Sequence, residues 1–182
     1  MATALEDFVH RFQEQNPDND DEIDLFLAWL QENGPDEWRR WASGWNWDQG
    51  IDLFEWIIAQ ANCDRGTALH IYYCARPEYF SKYVSVEDAK APHYNQENLS
   101  LILKICEMWR EGAYQTYAYR PGILEDEMRI GTLETTLAGA SRVPWNVPTD
   151  LARPEIKGEP NEFERVIDGV PIQMLRALGE EW

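Results

Sequence analysis

The sequence has few cysteines, few basic residues and no long hydrophobic run. The three cysteines, Cys63, Cys74 and Cys106, form an odd set without Cys-x-x-Cys spacing, which favours buried thiols in a reducing compartment over a disulfide framework. No apolar stretch approaches the roughly 18 residues that a membrane span requires. The first residues lack the basic and apolar regions of a signal peptide. These absences predict a cytoplasmic protein without a membrane partner.

Sequence signatures of catalytic and nucleotide-binding sites are also missing. There is no Gly-x-Ser-x-Gly motif and no glycine-rich phosphate loop. His70 and Cys74 are four residues apart on one predicted helix and could present two ligands to a metal, but no spacing pattern supplies the remaining ligands of a zinc site. Core packing is the preferred interpretation of this pair. We therefore predict no metal, no cofactor and no catalytic residue.

The shortage of basic residues leaves a strongly acidic chain. Sixteen Lys and Arg stand against thirty-three Asp and Glu, a formal net charge of −17. Nucleic acid and anionic membranes would be repelled by such a protein, so neither is a predicted partner. A basic protein partner would instead be attracted and steered by this field. The alternative interpretation, equally open at this point, is that the charge only keeps the protein soluble.

The hydrophobic pattern predicts a mainly α fold. At 182 residues the chain is expected to form a single helical domain of about six to eight helices. Residues 1–140 form the predicted helical domain, with a core motif at 38–75. Residues 141–182 form a C-terminal arm packed on that domain, in which several prolines exclude long helices. Asp168-Gly169 between two apolar runs indicates one short β-hairpin there, followed by a short terminal helix.

The most patterned stretch runs from Trp38 to Tyr73. Trp38, Trp41 and Trp45 recur on one face of a predicted helix, a spacing that is typical of a packed core. The segment 46–50 has the composition of a turn and holds Trp47, which we expect to be partly exposed. A further helix is predicted to begin after Asp64, whose carboxylate would cap it. Beyond this stretch, residues 86–93 are predicted to be a loop, and Asn95 is predicted to cap the helix that follows it.

An acidic run at residues 18–22 suggests a calcium loop. Counted from Asp18, however, Ile23 occupies the position that requires glycine, and Trp29 occupies the position that requires a bidentate glutamate. A helix start capped by Asp20 or Asp21 is the preferred interpretation.

Two turn motifs in the central stretch resemble a small bacterial family that is known only as a domain of unknown function. The resemblance covers roughly residues 25–80 and rests on the positions Asn46, Trp47, Asp48, Gly50, Trp56, Ile57, Cys63, Asp64, Gly66, Thr67, Ala68 and Leu69. It implies a soluble, helical, bacterial protein and supplies no catalytic residue. In character such proteins are similar to the immunity proteins that neutralise secreted toxins.

The leading hypothesis is therefore a cytoplasmic immunity protein that binds a basic toxin and occludes its active site. The predicted partner-binding residues are two acidic clusters and the tryptophan turn: Asp18, Asp20, Asp21, Glu22, Trp47, Asp48, Glu125, Asp126 and Glu127. One alternative is an enzyme of unknown class in which Asp48 or Asp64 is a general acid or base with a pKa raised by burial. Trp45, Trp47 and Asp48 could then line a sugar platform. Another alternative is an adaptor subunit with an exposed apolar patch.

Overall fold

Helices form most of the described part of the chain in the computed structural model, which confirms the predicted mainly α fold. The structure describes residues 4–18, 21–91, 95–121, 138–139, 141–155, 157–159, 166–167, 170–171, 174–175 and 178–179. The α-helices are α1 Ala4–Gln15, α2 Glu22–Glu32, α3 Pro35–Gly44, α4 Asp52–Ala59, α5 Arg65–Cys74, α6 Val86–Lys90, α7 Gln96–Arg110 and α8 Thr149–Ala152. The 3-10 segments are Trp47–Gln49 and Pro77–Lys82, and the strands are β1 Val166–Ile167 and β2 Val170–Pro171.

The chain divides into two compact units. Unit 1 comprises Met1–Trp56 and Glu162–Trp182, and unit 2 comprises Ile57–Asn161. The division predicted from the sequence, at residue 140, remains a prediction.

The tryptophan stripe of α3 lies in the core of unit 1, as its spacing predicts. Trp38, Trp41 and Trp45 are all buried, and the Trp41 ring lies 4.8 Å from the ring of Phe26 on α2. Each indole N–H also has an acceptor: for Trp38 it is the carbonyl of Leu30 at 2.8 Å. Burial of these rings removes a large apolar area from water while their polar N–H groups remain paired. The stripe is therefore structural.

The two short strands of unit 1 pair antiparallel. Val166 lies opposite Pro171, and Ile167 lies opposite Val170. This is the position at which the sequence predicts a hairpin. The predicted turn residues Asp168 and Gly169 lie outside the described residues.

Helices α5 and α7 form the centre of unit 2. On α7 the buried residues are Leu99, Leu101, Ile102, Ile105, Cys106 and Trp109. On α5 every residue from Gly66 to Tyr73 is buried. A helix buried all round must be covered by other segments of the chain. One of these is an irregular segment, residues 113–121.

Two local predictions in unit 2 are wrong. Residues 86–93 were expected to be a loop, but α6 forms there because the Ser85 hydroxyl caps it, accepting a hydrogen bond from the Asp88 N–H at 3.0 Å. Asn95 does precede α7, but it adopts a left-handed conformation with φ 66° and its side chain makes no cap hydrogen bond. Asn tolerates that conformation better than most residues. Asn95 thus begins α7 through its backbone.

Candidate functional site

The first predicted acidic cluster lies at the start of α2. Asp18, Asp21 and Glu22 are exposed, and Asp21 accepts a hydrogen bond from the Ile23 N–H at 2.9 Å. This bond is the helix cap expected from the sequence. Asp20 of this cluster, and the whole second cluster Glu125, Asp126 and Glu127, lie outside the described residues. The assignment of both clusters to a partner-binding surface therefore stays a prediction.

Acidic residues are concentrated in the first 56 residues. That segment contains fourteen Asp and Glu but only three Lys and Arg, so −11 of the net −17 belongs to it. The remaining 126 residues contain nineteen acidic and thirteen basic residues, a net −6. Sequence composition thus places most of the negative field on the chain segment that forms α1 to α3 and the tryptophan turn.

Two of the three arginines of this segment pair with carboxylates of unit 1. Arg11 pairs with Glu32 at 3.1 Å, and Arg40 pairs with Glu37 at 2.8 Å. Arg39 is half-buried. Eleven carboxylate side chains of the segment belong to exposed residues: Glu6, Asp7, Glu14, Asp18, Asp21, Glu22, Asp24, Glu32, Asp36, Asp48 and Asp52. Three cations leave most of this negative charge facing solvent.

The turn after α3 presents Trp47 at the surface. Trp47 is half-buried, and its ring stacks on Phe54 of α4 at a centroid distance of 4.2 Å. The Asn46 side chain accepts from the Asp48 N–H at 3.1 Å, and the Trp45 indole donates to the Gly50 carbonyl at 3.0 Å. These bonds hold the turn, and the stacking holds the ring. Trp47 is thus a large, ordered side chain of the kind that anchors protein interfaces.

Asp64 is a buried and highly constrained carboxylate of unit 2. It is 1% exposed, and its two oxygens accept hydrogen bonds from the N–H groups of Gly66 at 2.8 Å, Ala118 at 2.7 Å and Tyr119 at 3.3 Å. Burial raises the pKa of the Asp64 carboxyl, while the bonds from Ala118 and Gly66 oppose that shift. A carboxylate committed to three backbone donors is poorly placed to exchange protons with a substrate.

The residues after Asp64 hold the same segment of chain. The Arg65 N–H donates to the Thr116 carbonyl at 2.8 Å. A Cβ atom at Gly66 would overlap the carbonyl oxygen of Tyr119, so only glycine permits this approach. We call Asp64, Arg65 and Gly66, together with residues 116–119, the α5 junction. The motif Asn-Cys-Asp-x-Gly in this chain thus positions backbone and shows no catalytic geometry.

The enzyme alternative has little support from either carboxylate that it requires. Asp64 has the raised pKa, but it is satisfied as a helix cap and as an acceptor for the segment 116–119. Asp48 is exposed, so the burial that this alternative requires is absent there. Of the two carboxylates named in this alternative, only Asp64 is buried.

The His70–Cys74 pair lies on α5 as its spacing predicts, with the Cys74 sulfur 3.5 Å from His70 Nε2. Among the described residues no group of three or more His, Cys, Asp and Glu side chains is arranged to hold a metal ion. Burial also raises the pKa of the Cys106 thiol to about 11, well above that of a reactive thiolate. The helices that the structure describes include none long and apolar enough to cross a membrane.

Sequence reasoning missed a polar cluster in which α5, α7 and α8 meet. The Arg65 guanidinium lies over the Trp109 ring, 4.4 Å from its centroid, and pairs with Asp150. The Trp109 indole N–H donates to the other oxygen of Asp150 at 3.1 Å. No local pattern could reveal this cluster, because its members are 41 to 85 residues apart in the sequence.

Comparison with known proteins identifies one domain. Residues 33–109 match a family described as a domain of unknown function, DUF4274. The match begins later and ends further along the chain than the resemblance predicted from the sequence, and it includes both the tryptophan turn and the start of α5. No curated protein and no solved structure matches the chain. The chain is thus mainly helical in its described part, and its residues 33–109 are similar to the DUF4274 family.

Proposed function

We propose that this chain is a cytoplasmic bacterial immunity protein that binds a basic toxin and blocks its active site. The observation that carries the proposal is the charge of the first 56 residues, −11, on a segment in which two of the three arginines already pair with carboxylates of unit 1. A surface of this kind attracts a cationic protein and repels nucleic acid.

The proposed contact combines attraction at long range with an anchor at short range. The exposed carboxylates at the start of α2, Asp18 and Glu22, would steer a basic partner toward unit 1. The ordered Trp47 ring, with Asp48 beside it, would supply apolar area and a face for a guanidinium or ammonium group. Electrostatic steering of this type raises association rates by about 10- to 1000-fold at low salt. The block itself would be steric.

The partner is first identified by affinity capture from the native bacterium at low and at moderate salt. The proposal expects one near-stoichiometric basic protein whose toxic activity the chain suppresses. Capture of a stoichiometric acidic partner, or of a basic partner whose activity is unaffected, would contradict it.

The captured partner then allows a matched test of the surface. The triple variant Asp18→Asn, Glu22→Gln and Asp48→Asn removes three charges from the proposed contact. The control triple Glu97→Gln, Glu107→Gln and Glu111→Gln removes three exposed charges from α7 and the residue after it. We expect the first triple to slow association by about tenfold and to flatten its salt dependence, and the control to have little effect. Equal effects of the two triples would show that only net charge matters.

The anchor is tested separately with Trp47→Ala. A central interface tryptophan contributes roughly 2 kcal/mol or more, which corresponds to about a 30-fold loss of affinity, expressed mainly as faster dissociation. The thermal midpoint of the variant shows whether loss of the Phe54 contact has disturbed α4. Unchanged dissociation in a folded Trp47→Ala variant would remove Trp47 from the interface.

A further inference from the structure

Unit 2 contains a cavity of about 390 Å³ between the start of α5 and the end of α7. Arg65, Trp109, Arg110, Gln115 and Asp150 contribute to its lining, and we call it the arginine cavity. Its volume lies within the range of about 300–1000 Å³ that is usual for small-molecule sites. Two guanidinium groups in one cavity are unexpected in a chain of net charge −17.

The single carboxylate of this lining is already occupied. One oxygen of Asp150 pairs with Arg65, and the other accepts the Trp109 indole N–H at 3.1 Å. The stacking of Arg65 on Trp109, 4.4 Å from the ring centroid, fixes the plane of its guanidinium. Because Asp150 neutralises only one of the two guanidinium groups, the lining retains one positive charge.

Arg110 and Gln115 supply the remaining donors. Arg110 is the last residue of α7 and is exposed, and one of its N–H groups reaches the Asn146 carbonyl at 3.3 Å. A guanidinium has five N–H groups arranged as a planar fork, so this contact leaves others for a ligand. The Gln115 amide nitrogen bonds the Gly112 carbonyl, which places that side chain at the rim.

We propose that the arginine cavity binds a small molecule through an oxyanion group, a carboxylate or a phosphate. Two oxygens of such a group match the fork of Arg110 in a charge-assisted pair, and Arg65, held in place by Asp150 and Trp109, lies on the same lining. The long-range field of this acidic chain opposes the approach of an anion, so recognition depends on these short contacts. The proposal concerns unit 2 alone and does not depend on the proposed immunity function.

Succinate and inorganic phosphate are the probes, titrated into the full chain by calorimetry at constant ionic strength with chloride as the balancing anion. We expect saturable binding of one probe or both. Binding of succinate alone points to a carboxylate ligand, and binding of phosphate alone points to a phosphate ligand.

The variant Arg110→Gln removes the exposed guanidinium and leaves Arg65, which is part of the α5 junction. It should weaken binding by about 10- to 100-fold, the change expected from loss of one charge-assisted contact. The control Arg142→Gln removes another exposed arginine of unit 2, whose Nε also bonds a carbonyl, that of Ala138 at 3.1 Å. It should bind as the unmodified chain does.

Two outcomes would overturn the proposal. One is the absence of saturable binding for both probes. The other is an equal loss of binding in Arg110→Gln and Arg142→Gln, which would indicate a general effect of charge. Thermal midpoints of both variants verify that they fold, and Gln115→Ala, at the rim, offers a second variant that should weaken binding without altering charge.

Discussion

Asp21 in unit 1 and Asp64 in unit 2 begin their helices in the same way but have different surroundings. Each accepts a hydrogen bond from the N–H two residues later, at 2.9 Å for Asp21 and 2.8 Å for Asp64. Asp21 is exposed, whereas Asp64 is 1% exposed and also accepts from Ala118 and Tyr119, more than fifty residues away. An Asp at the start of a helix thus caps only that helix in unit 1, whereas in unit 2 it also joins the helix to a distant segment of the chain.

Carboxylates in the two units therefore have different roles. In the first 56 residues the acidic side chains lie mainly at the surface, where they are available to a partner. In the α5 junction one carboxylate is buried and fully engaged in positioning backbone. Function by contact is therefore sought in unit 1, whereas the Asn-Cys-Asp-x-Gly segment at the start of α5 has a structural role in positioning backbone.

The largest expected effect is that of Asp64→Ala compared with Asp21→Ala. Asp64→Ala leaves the N–H groups of Gly66, Ala118 and Tyr119 without this acceptor, and we expect it to lower the free energy of unfolding by about 3–5 kcal/mol. Asp21→Ala removes an exposed cap and should cost about 1 kcal/mol. Urea unfolding of both variants measures the difference. Similar losses in the two would mean that Asp64 is only a cap.

Gly66→Ala compared with Gly34→Ala has the next largest effect. A methyl group at Gly66 forces the Tyr119 carbonyl away, and overpacking of this kind costs about 1–3 kcal/mol. Gly34 also precedes a helix, α3, but an added Cβ meets no described atom within 4 Å there. Gly34→Ala should therefore cost only the preference of an N-cap for glycine over alanine, about 0.5–1 kcal/mol. A tolerated Gly66→Ala would show that the segment 116–119 can move away from α5 at little cost.

The smallest effect concerns pH. Because burial raises the pKa of Asp64 above its ordinary value of 3.8, the folded state holds this proton more tightly than the unfolded state does. The resulting stabilisation is fully present below pH 3.8 and is lost as the pH rises through the raised pKa. Measured against Asp64→Asn, which has no proton to bind, the unmodified chain should gain relative stability as the pH is lowered from 7 toward 4. A relative loss on acidification would indicate a lowered pKa.

Local sequence patterns predicted several elements correctly because short-range interactions determine them. The periodicity of Trp38, Trp41 and Trp45 predicted a buried helix face, and Asp64 predicted the start of α5. The helix α6 was missed because a five-residue helix is too short to show a period. The Ser85 cap was its one local signal.

The two candidate sites also differ in whether the sequence could predict them. Composition alone indicated an acidic surface and a partly exposed Trp47, and both are found in unit 1. The arginine cavity had no signature, because Arg65, Arg110 and Asp150 come from separate elements of unit 2 and their proximity depends on packing.

The sequence by itself determined the helical class, the main caps and the excess of negative charge, since each depends on residue type or on spacing within a few turns. Only the tertiary structure decided that Asp64 binds the segment 116–119, that Gly66 admits the Tyr119 carbonyl, and that Arg65 stacks on Trp109. These contacts join residues far apart in the chain, and burial sets their energies, so no local pattern encodes them.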